Sequence, residues 1–235
     1  MIKYVLWDID GTLLNFHIAE ENAIKACFLE YGLGNITSEM LKDYRAINNK
    51  YWKALERGEV SRIDVLEGRF KDFFNKYNID TKLAKDFNIS YQKNLGKTYV
   101  FNDNAYETVM SLNGKYDQYA ASNGSLIAQR GKLEGAGLDK IFKGVFISEQ
   151  IGFEKPSTEF FDYVFEKIGS NNKSEYVIIG DSLTSDILGG NLSGIKTIWF
   201  NPDCLEANKD IHFDYEIKNL KEVLEILPWI LMKNL

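Results

Sequence analysis

The chain has 235 residues, 45% of them apolar and 26% charged, and a formal net charge of −6. This is the profile of an ordinary soluble globular protein, long enough for one large α/β domain or for a core with an insertion. The charge argues against nucleic acid and anionic membrane as partners, and the absence of low-complexity tracts and repeats sets aside disordered tails and solenoids.

The chain opens on Ile2-Lys3-Tyr4-Val5-Leu6-Trp7 without the pattern of a secretory leader, and a cytoplasmic location is expected. Residues 3–8 are an apolar run closed by an aspartate, which predicts a buried parallel strand. A long helical stretch follows. Ile24, Cys27, Phe28 and Tyr31 fall at helical spacing, as do Leu41, Tyr44, Ile47, Tyr51 and Leu55. Ser61-Arg62-Ile63-Asp64 has the form of a capping box and opens a third stripe of Ile63, Leu66, Phe70, Phe73 and Tyr77. A fourth stripe carries Leu83, Phe87, Tyr91 and Leu95. Successive amphipathic helices bury their stripes against each other, so residues 16–92 are read as an inserted helical domain, with residues 1–15 and 93–235 as the core.

A helix over 103–113 returns the chain to the core. Short apolar strands at 118–121, 145–147, 176–179 and 197–199 alternate with helices over 124–136, 157–168 and 184–193. That rhythm predicts an α/β fold with an open, mostly parallel sheet and helices on both faces. The stretch 226–232 is too short to span a bilayer, contains Pro228 and is expected to be a terminal helix on the core. Cys27 and Cys204 are too few for a disulfide framework or a zinc site and are read as small apolar residues.

Ligands of open parallel sheets bind beyond the carboxyl ends of the strands. Asp8-Ile9-Asp10-Gly11-Thr12 sits at such an end. Of two carboxylates at i and i+2, one can attack phosphorus while the other protonates the leaving oxygen and later deprotonates water. Their proximity is expected to raise the proton affinity of one of the pair. Gly180-Asp181 follows another apolar run, so Asp181 emerges on the same edge and completes a hard-oxygen site suited to Mg²⁺. Asp186 is placed to orient metal-bound waters or Lys155, or to cap the next helix. Ser122, Asn123 and Gly124 follow a strand and offer a hydroxyl and backbone amides to a phosphoryl group. Lys155, ahead of Pro156 in the first turn of a helix, can neutralise several carboxylates and a phosphate.

The ordered set Asp8-x-Asp10-Gly11-Thr12, Ser122, Lys155 and Gly180-Asp181…Asp186 resembles the signatures of the haloacid dehalogenase superfamily. The resemblance implies a Rossmann-like core with a helical cap inserted after the first signature. It further implies Asp8 as nucleophile, Asp10 as acid/base, and Ser122 and Lys155 as phosphoryl contacts. Mg²⁺ would be held by the Asp8 carboxylate, the Asp10 backbone carbonyl and Asp181.

A narrower likeness to the bacterial pyrimidine 5′-nucleotidases is carried by Asp43-Tyr44-Arg45-Ala46-Ile47-Asn48, Gly68-Arg69-Phe70, Ile147-Ser148-Glu149 and Asp186-Ile187-Leu188-Gly189-Gly190. It implies a small phosphorylated substrate, a nucleoside monophosphate, chosen by the cap while the core performs the chemistry. A sugar-phosphate phosphatase or phosphoglucomutase shares every core signature. A metal-free dehalogenase has no need of Asp10 or a magnesium site. A phosphonate hydrolase needs a cap lysine such as Lys25, Lys50 or Lys53, and a receiver-like switch is roughly half this length. His17 and His212 are read as non-ligands, Trp7 as core, Trp52, Tyr44 and Tyr51 as cap packing, and Arg45, Arg62 and Arg69 as mostly solvated.

Overall fold

The computed structural model describes residues 1–232. The chain divides into two compact units, Met1–Phe16 together with the chain from Tyr99 onward, and His17–Thr98.

The first unit is built on strands β1 (Tyr4–Trp7), β2 (Asp117–Ser122), β3 (Gly144–Ile147), β4 (Tyr176–Gly180), β5 (Lys196–Phe200) and β6 (Tyr215–Ile217). They form one sheet in the order β3-β2-β1-β4-β5-β6, parallel at every pairing. This is a Rossmann-like α/β core, and β1 lies inside it between β2 and β4.

Because side chains alternate across a strand, β1 serves both faces. Val5 and Trp7 join the core beneath helices α5 (Ala105–Leu112), α6 (Leu126–Ala136) and α10 (Val223–Met232). Leu6 packs on the opposite face with Phe160, Phe161, Val164 and Phe165 of α8 (Thr158–Ile168). The terminal helix contains Pro228 and buries Val223, Leu227 and Ile230, as expected of a helix lying on the core.

The register places the catalytic signatures. Trp7 is level with Ala120 and Ile179, so Asp8, Ser122 and Asp181 all leave the sheet at one edge. The Asp8 amide donates to the Ile179 carbonyl at 2.9 Å and anchors the exit of β1 to β4. After β4 the chain makes a π-helical turn, Leu183–Ile187, before α9 (Leu188–Ser193), where a single α-helix over 184–193 was expected.

The sequence reading also lacked β6 and the four-residue α7 (Ser148–Ile151), both too short to show a period, and α8 starts at Thr158, beyond Pro156. Cys27 is buried as expected, and burial raises its thiol to about 11. Cys204 is exposed, on a left-handed turn with φ 54°, and is no part of a core.

The second unit holds α1 (Phe16–Glu30) beyond its first residue, α2 (Ser38–Glu56), α3 (Arg69–Lys76) and α4 (Ala84–Leu95). Its centre is aromatic, with Phe28, Tyr44, Phe70, Phe73, Phe74, Phe87 and Tyr91 all fully buried. Most of their rings meet at tilted and edge-on angles, as for Phe70 and Phe87 at 5.0 Å, while Tyr44 and Phe70 stack at 5.4 Å.

Ser61 and Asp64 make the reciprocal capping bonds that their spacing predicts. The next residues form a π-helical turn, Asp64–Gly68, whose extra residue shifts the stripe: Val65 points inward and Ile63 is exposed. Gly68 leaves room there for the Tyr51 ring, which a Cβ would approach to 2.8 Å.

Arg69 overturns its solvated reading, for it is only 1% exposed. Its guanidinium donates to Asn48 Oδ1 at 2.8 Å and Asn88 Oδ1 at 3.0 Å and lies over the Phe70 and Tyr91 rings. The chain of polar contacts continues from Asn48 to the buried Glu20, which also accepts from Arg45 at 2.9 Å. Replacing Arg69 with alanine would therefore destabilise this unit before altering any discrimination between substrates.

Two adjacent glycines bring α9 down onto the sheet. A Cβ on Gly190 would lie 2.6 Å from Thr197 and 2.7 Å from Ile178, and one on Gly189 would press on Phe161 and Pro156. Gly190→Ala is expected to cost about 1–3 kcal/mol by overpacking this contact, read as a lower urea midpoint.

Candidate active site

The carboxyl edge of the sheet gathers an unusually charged buried cluster around Lys155, which is 1% exposed. Its ammonium donates to Asp8 Oδ1 at 2.9 Å, to Asp186 Oδ1 at 2.6 Å and to the Ala121 carbonyl. Asp186 is held on its other oxygen by the Ser182 amide at 3.1 Å, and so fixes Lys155. Gly180 is what allows Asp186 this close, since a Cβ there would fall 2.2 Å from its carboxylate.

On the far side of Asp8, the Thr12 hydroxyl lies 3.0 Å from both Asp8 Oδ2 and Asp181 Oδ1, and accepts from the Asp181 amide. A hydroxyl has one proton to give, so it serves one of these carboxylates at a time. Gly11, with φ 98°, passes directly beneath Asp181, whose carboxylate would stand 2.5 Å from any Cβ. The indole of Trp199 holds the Asp181 carbonyl at 3.0 Å.

Carboxylate oxygens of Asp8, Asp181 and Asp186 lie within 4.8 Å of one another. With all three ionised, the carboxylates would leave two negative charges against the one ammonium of Lys155 in a desolvated site. Burial pushes the Asp8 carboxyl well above its ordinary range; Lys155 pulls it back, and Asp186 and Asp181 push it up again. Burial and then Asp186 raise Asp181 to about 7, against the Thr12 hydrogen bond. Burial disfavours the Lys155 ammonium, but Asp186 and Asp8 more than restore it and hold it above the usual lysine range.

A hard divalent cation fits this donor set, because it would neutralise the charge that Lys155 leaves over. Both Asp186 oxygens are engaged by Lys155 and Ser182. The carboxylates of Asp8 and Asp181 that converge on Thr12 are the better oxygen donors.

Asp10 is not one of the carboxylates of this cluster. Its carboxylate turns to α6, where it accepts from Gln129 Nε2 at 2.6 Å and from the ammonium of the fully buried Lys132. The acidic neighbours that raise Asp8 are thus Asp186 and Asp181 rather than its sequence partner Asp10. Neither Gln129 nor Lys132 was singled out from the sequence. The sequence holds no local signal for them: in Leu126–Ala136 the apolar Ile127 is 53% exposed while Gln129 and Lys132 are fully buried, an inversion that shows only in the folded helix.

Ser122, at the end of β2, is buried, and its hydroxyl oxygen accepts from the Gly124 amide at 3.0 Å, which leaves its proton to donate. The Asn123 side chain clamps the backbone of Lys155 from both sides, donating to its carbonyl and accepting from its amide at 2.8 Å each. Asn123 thereby positions Lys155, and what it offers a ligand is its backbone. His17 and His212 are both exposed and outside the cluster.

The chain is similar to known proteins over nearly its whole length. The family model for haloacid dehalogenase-like hydrolases matches residues 2–194. The chain is 36% identical to the putative HAD-hydrolase YfnB of Bacillus subtilis, over 96% of its length and 95% of that protein. The crystal structure of YfnB bound to magnesium superposes with a TM-score of 0.89, covering 96% of this chain and 98% of that one. Pyrimidine 5′-nucleotidase PynA of Streptococcus pneumoniae is 36% identical over 96% of this chain and 94% of its own length. A glyceraldehyde 3-phosphate phosphatase of Methanopyrus kandleri is 29% identical, covering 97% of each.

Thr12→Val removes the hydroxyl between Asp8 and Asp181 while keeping its volume. The loss should be about 1–3 kcal/mol in urea denaturation, since the Asp181 amide loses its acceptor and the two carboxylates their shared donor.

Proposed function

Because the chain belongs to the haloacid dehalogenase-like hydrolases and is a phosphatase of that family, we propose that it hydrolyses 5′-nucleoside monophosphates, pyrimidine ones foremost. In this reading the reaction requires Mg²⁺ and passes through a phosphoryl group carried on Asp8. The observation that carries it is the buried Lys155 ammonium fixed between Asp8 and Asp186. A cation so placed serves a carboxylate that must meet an anionic substrate.

Asp8 attacks phosphorus as its carboxylate, held on one oxygen by Lys155 and approached on the other by Thr12. As the Asp8–phosphorus bond forms, the bond to the ribose 5′ oxygen breaks, and Asp10 delivers a proton to that oxygen. Water then attacks the phosphoryl group, Asp10 takes its proton, and Asp8 is released. The Ser122 hydroxyl and the Asn123 backbone amide grip the non-bridging oxygens, and Lys155 neutralises their charge, while the Gly124 amide, expected to join them, is given to Ser122. The Asp8 carboxylate, the Asp10 carbonyl and Asp181 would hold Mg²⁺, which would further stabilise charge on the transferring group.

The preference for a nucleotide is supported by PynA, whose 36% identity spans 96% of this chain and so includes the helical unit. We assign substrate choice to that unit, because every catalytic signature residue lies outside it.

The test is phosphate release from dUMP, UMP, AMP, glucose 6-phosphate, β-glucose 1-phosphate and glyceraldehyde 3-phosphate. Pyrimidine nucleotides should show the highest kcat/KM. Dominant turnover of a sugar or triose phosphate would favour the activity of the Methanopyrus relative, and migration of the phosphate without release would indicate a mutase.

Chelation should abolish turnover and Mg²⁺ restore it, with Ca²⁺ a poor substitute because it prefers more ligands at longer distances; undiminished turnover after metal removal would sink the metal-dependent mechanism. Asp8→Asn should form no phosphoenzyme, whereas Asp10→Asn should keep its backbone carbonyl and lose about 10²–10⁴-fold in rate.

A further inference from the structure

Asp10 is usable in two successive proton transfers only if its carboxyl group stays at one place, and residues of α6 determine that place. We propose that Lys132 and Gln129 are positioning residues that hold the Asp10 carboxyl for reaction, an inference resting on the acid/base reading of Asp10 above.

Each oxygen of the Asp10 carboxylate has its own donor: Oδ1 takes the Lys132 ammonium and Oδ2 takes Gln129 Nε2 at 2.6 Å. The two donors are three residues apart on α6, so they rise from one face of the helix and meet the carboxylate as a fork. Each oxygen keeps a second lone pair, which leaves the carboxyl able to exchange a proton while its plane is fixed.

Three observations set this contact apart from a chance surface pair. Lys132 and Gln129 are both 0% exposed, and a lysine is seldom buried without a specific partner. The backbone is shaped to admit Gln129: a Cβ on Gly124 would fall 2.1 Å from Gln129 Nε2, so the loop after Ser122 is built around that side chain. Finally, the Lys132 ammonium lies 5.4 Å from the centre of the Phe16 ring, a face that steadies a cation without competing for Asp10 as a carboxylate would. Asp8 makes its hydrogen bonds to Lys155 and Thr12, which leaves Lys132 and Gln129 to govern the Asp10 side chain.

The test uses Lys132→Met, Lys132→Arg and Gln129→Leu in the full chain, assayed with Mg²⁺ on UMP and on p-nitrophenyl phosphate. A misplaced general acid matters most for a basic alkoxide leaving group and little for a phenolate. Lys132→Met should lower kcat on UMP by about 10²-fold with KM little changed, lose much less on p-nitrophenyl phosphate, and be largely rescued by arginine. Gln129→Leu should follow the same pattern more weakly, and supplies the measurement if Lys132→Met does not fold. In an Asp10→Asn background, Lys132→Met should cost nothing further.

Equal losses on both esters, or full additivity with Asp10→Asn, would mean a structural role only and overturn the proposal. Crystal structures of wild type and of Lys132→Met or Gln129→Leu give a readout independent of turnover. The Asp10 carboxyl should leave α6 in the variant, and an unmoved Asp10 would refute the positioning role. Should the wild type release no phosphate from any ester, the functional reading falls, while the position of Asp10 in the crystals still decides this one.

Discussion

The organising constraint of this protein is one buried ammonium. Lys155 is withdrawn from water among Asp8, Asp186 and the Ala121 carbonyl, and a lysine so placed is tolerable only if its partners stay where they are. Much of the surrounding structure holds those partners in place. Asn123 grips the lysine backbone, the Ser182 amide grips Asp186, and Thr12 ties Asp8 to the chain leaving β4. The cluster is still short of positive charge, and that deficit, more than any single distance, suits it to a hard cation.

The fold's contribution is to bring four separate strand exits to one edge at one level. Parallel pairing without slippage aligns Trp7, Ala120 and Ile179, and Ile147 of β3 is paired with Ser122. Glycine does the close work at that edge. Gly11 and Gly180 each stand where a single added carbon would displace a carboxylate of the cluster, Asp181 in one case and Asp186 in the other. Substituting either would disturb the charge arrangement without touching a charged residue.

The sheet and the cluster were legible because a parallel strand buried on both faces is written as an apolar run, and here two such runs end directly in Asp8 and Gly180-Asp181. The pairing of Lys155 with Asp186 was one of the roles that the sequence left open for Asp186. Other features left no local trace. The π-helical turns at Asp64–Gly68 and Leu183–Ile187 keep a helical pattern until one extra residue shifts it, and the three residues of β6 are too few to display a period. Arg69 looks like a solvated helix residue until Asn48 and Asn88 are seen to enclose it. Gln129 and Lys132 were obscured for the same reason: the carboxylate that justifies their burial, Asp10, lies more than a hundred positions earlier in the chain.

The position of β1 has a consequence for how the chain matures. Tyr4 is paired with Asp117 on one side and Tyr176 on the other, so the strand bearing Asp8 is synthesised first and acquires its neighbours only after long delays. The helical unit, by contrast, is contiguous from His17 to Thr98, so its internal contacts are all available once that segment has left the ribosome. Contacts distant in sequence form late, whereas contiguous helices associate quickly. Val5, Leu6 and Trp7, fully buried in the folded chain, therefore wait for two partner strands that follow more than a hundred residues later.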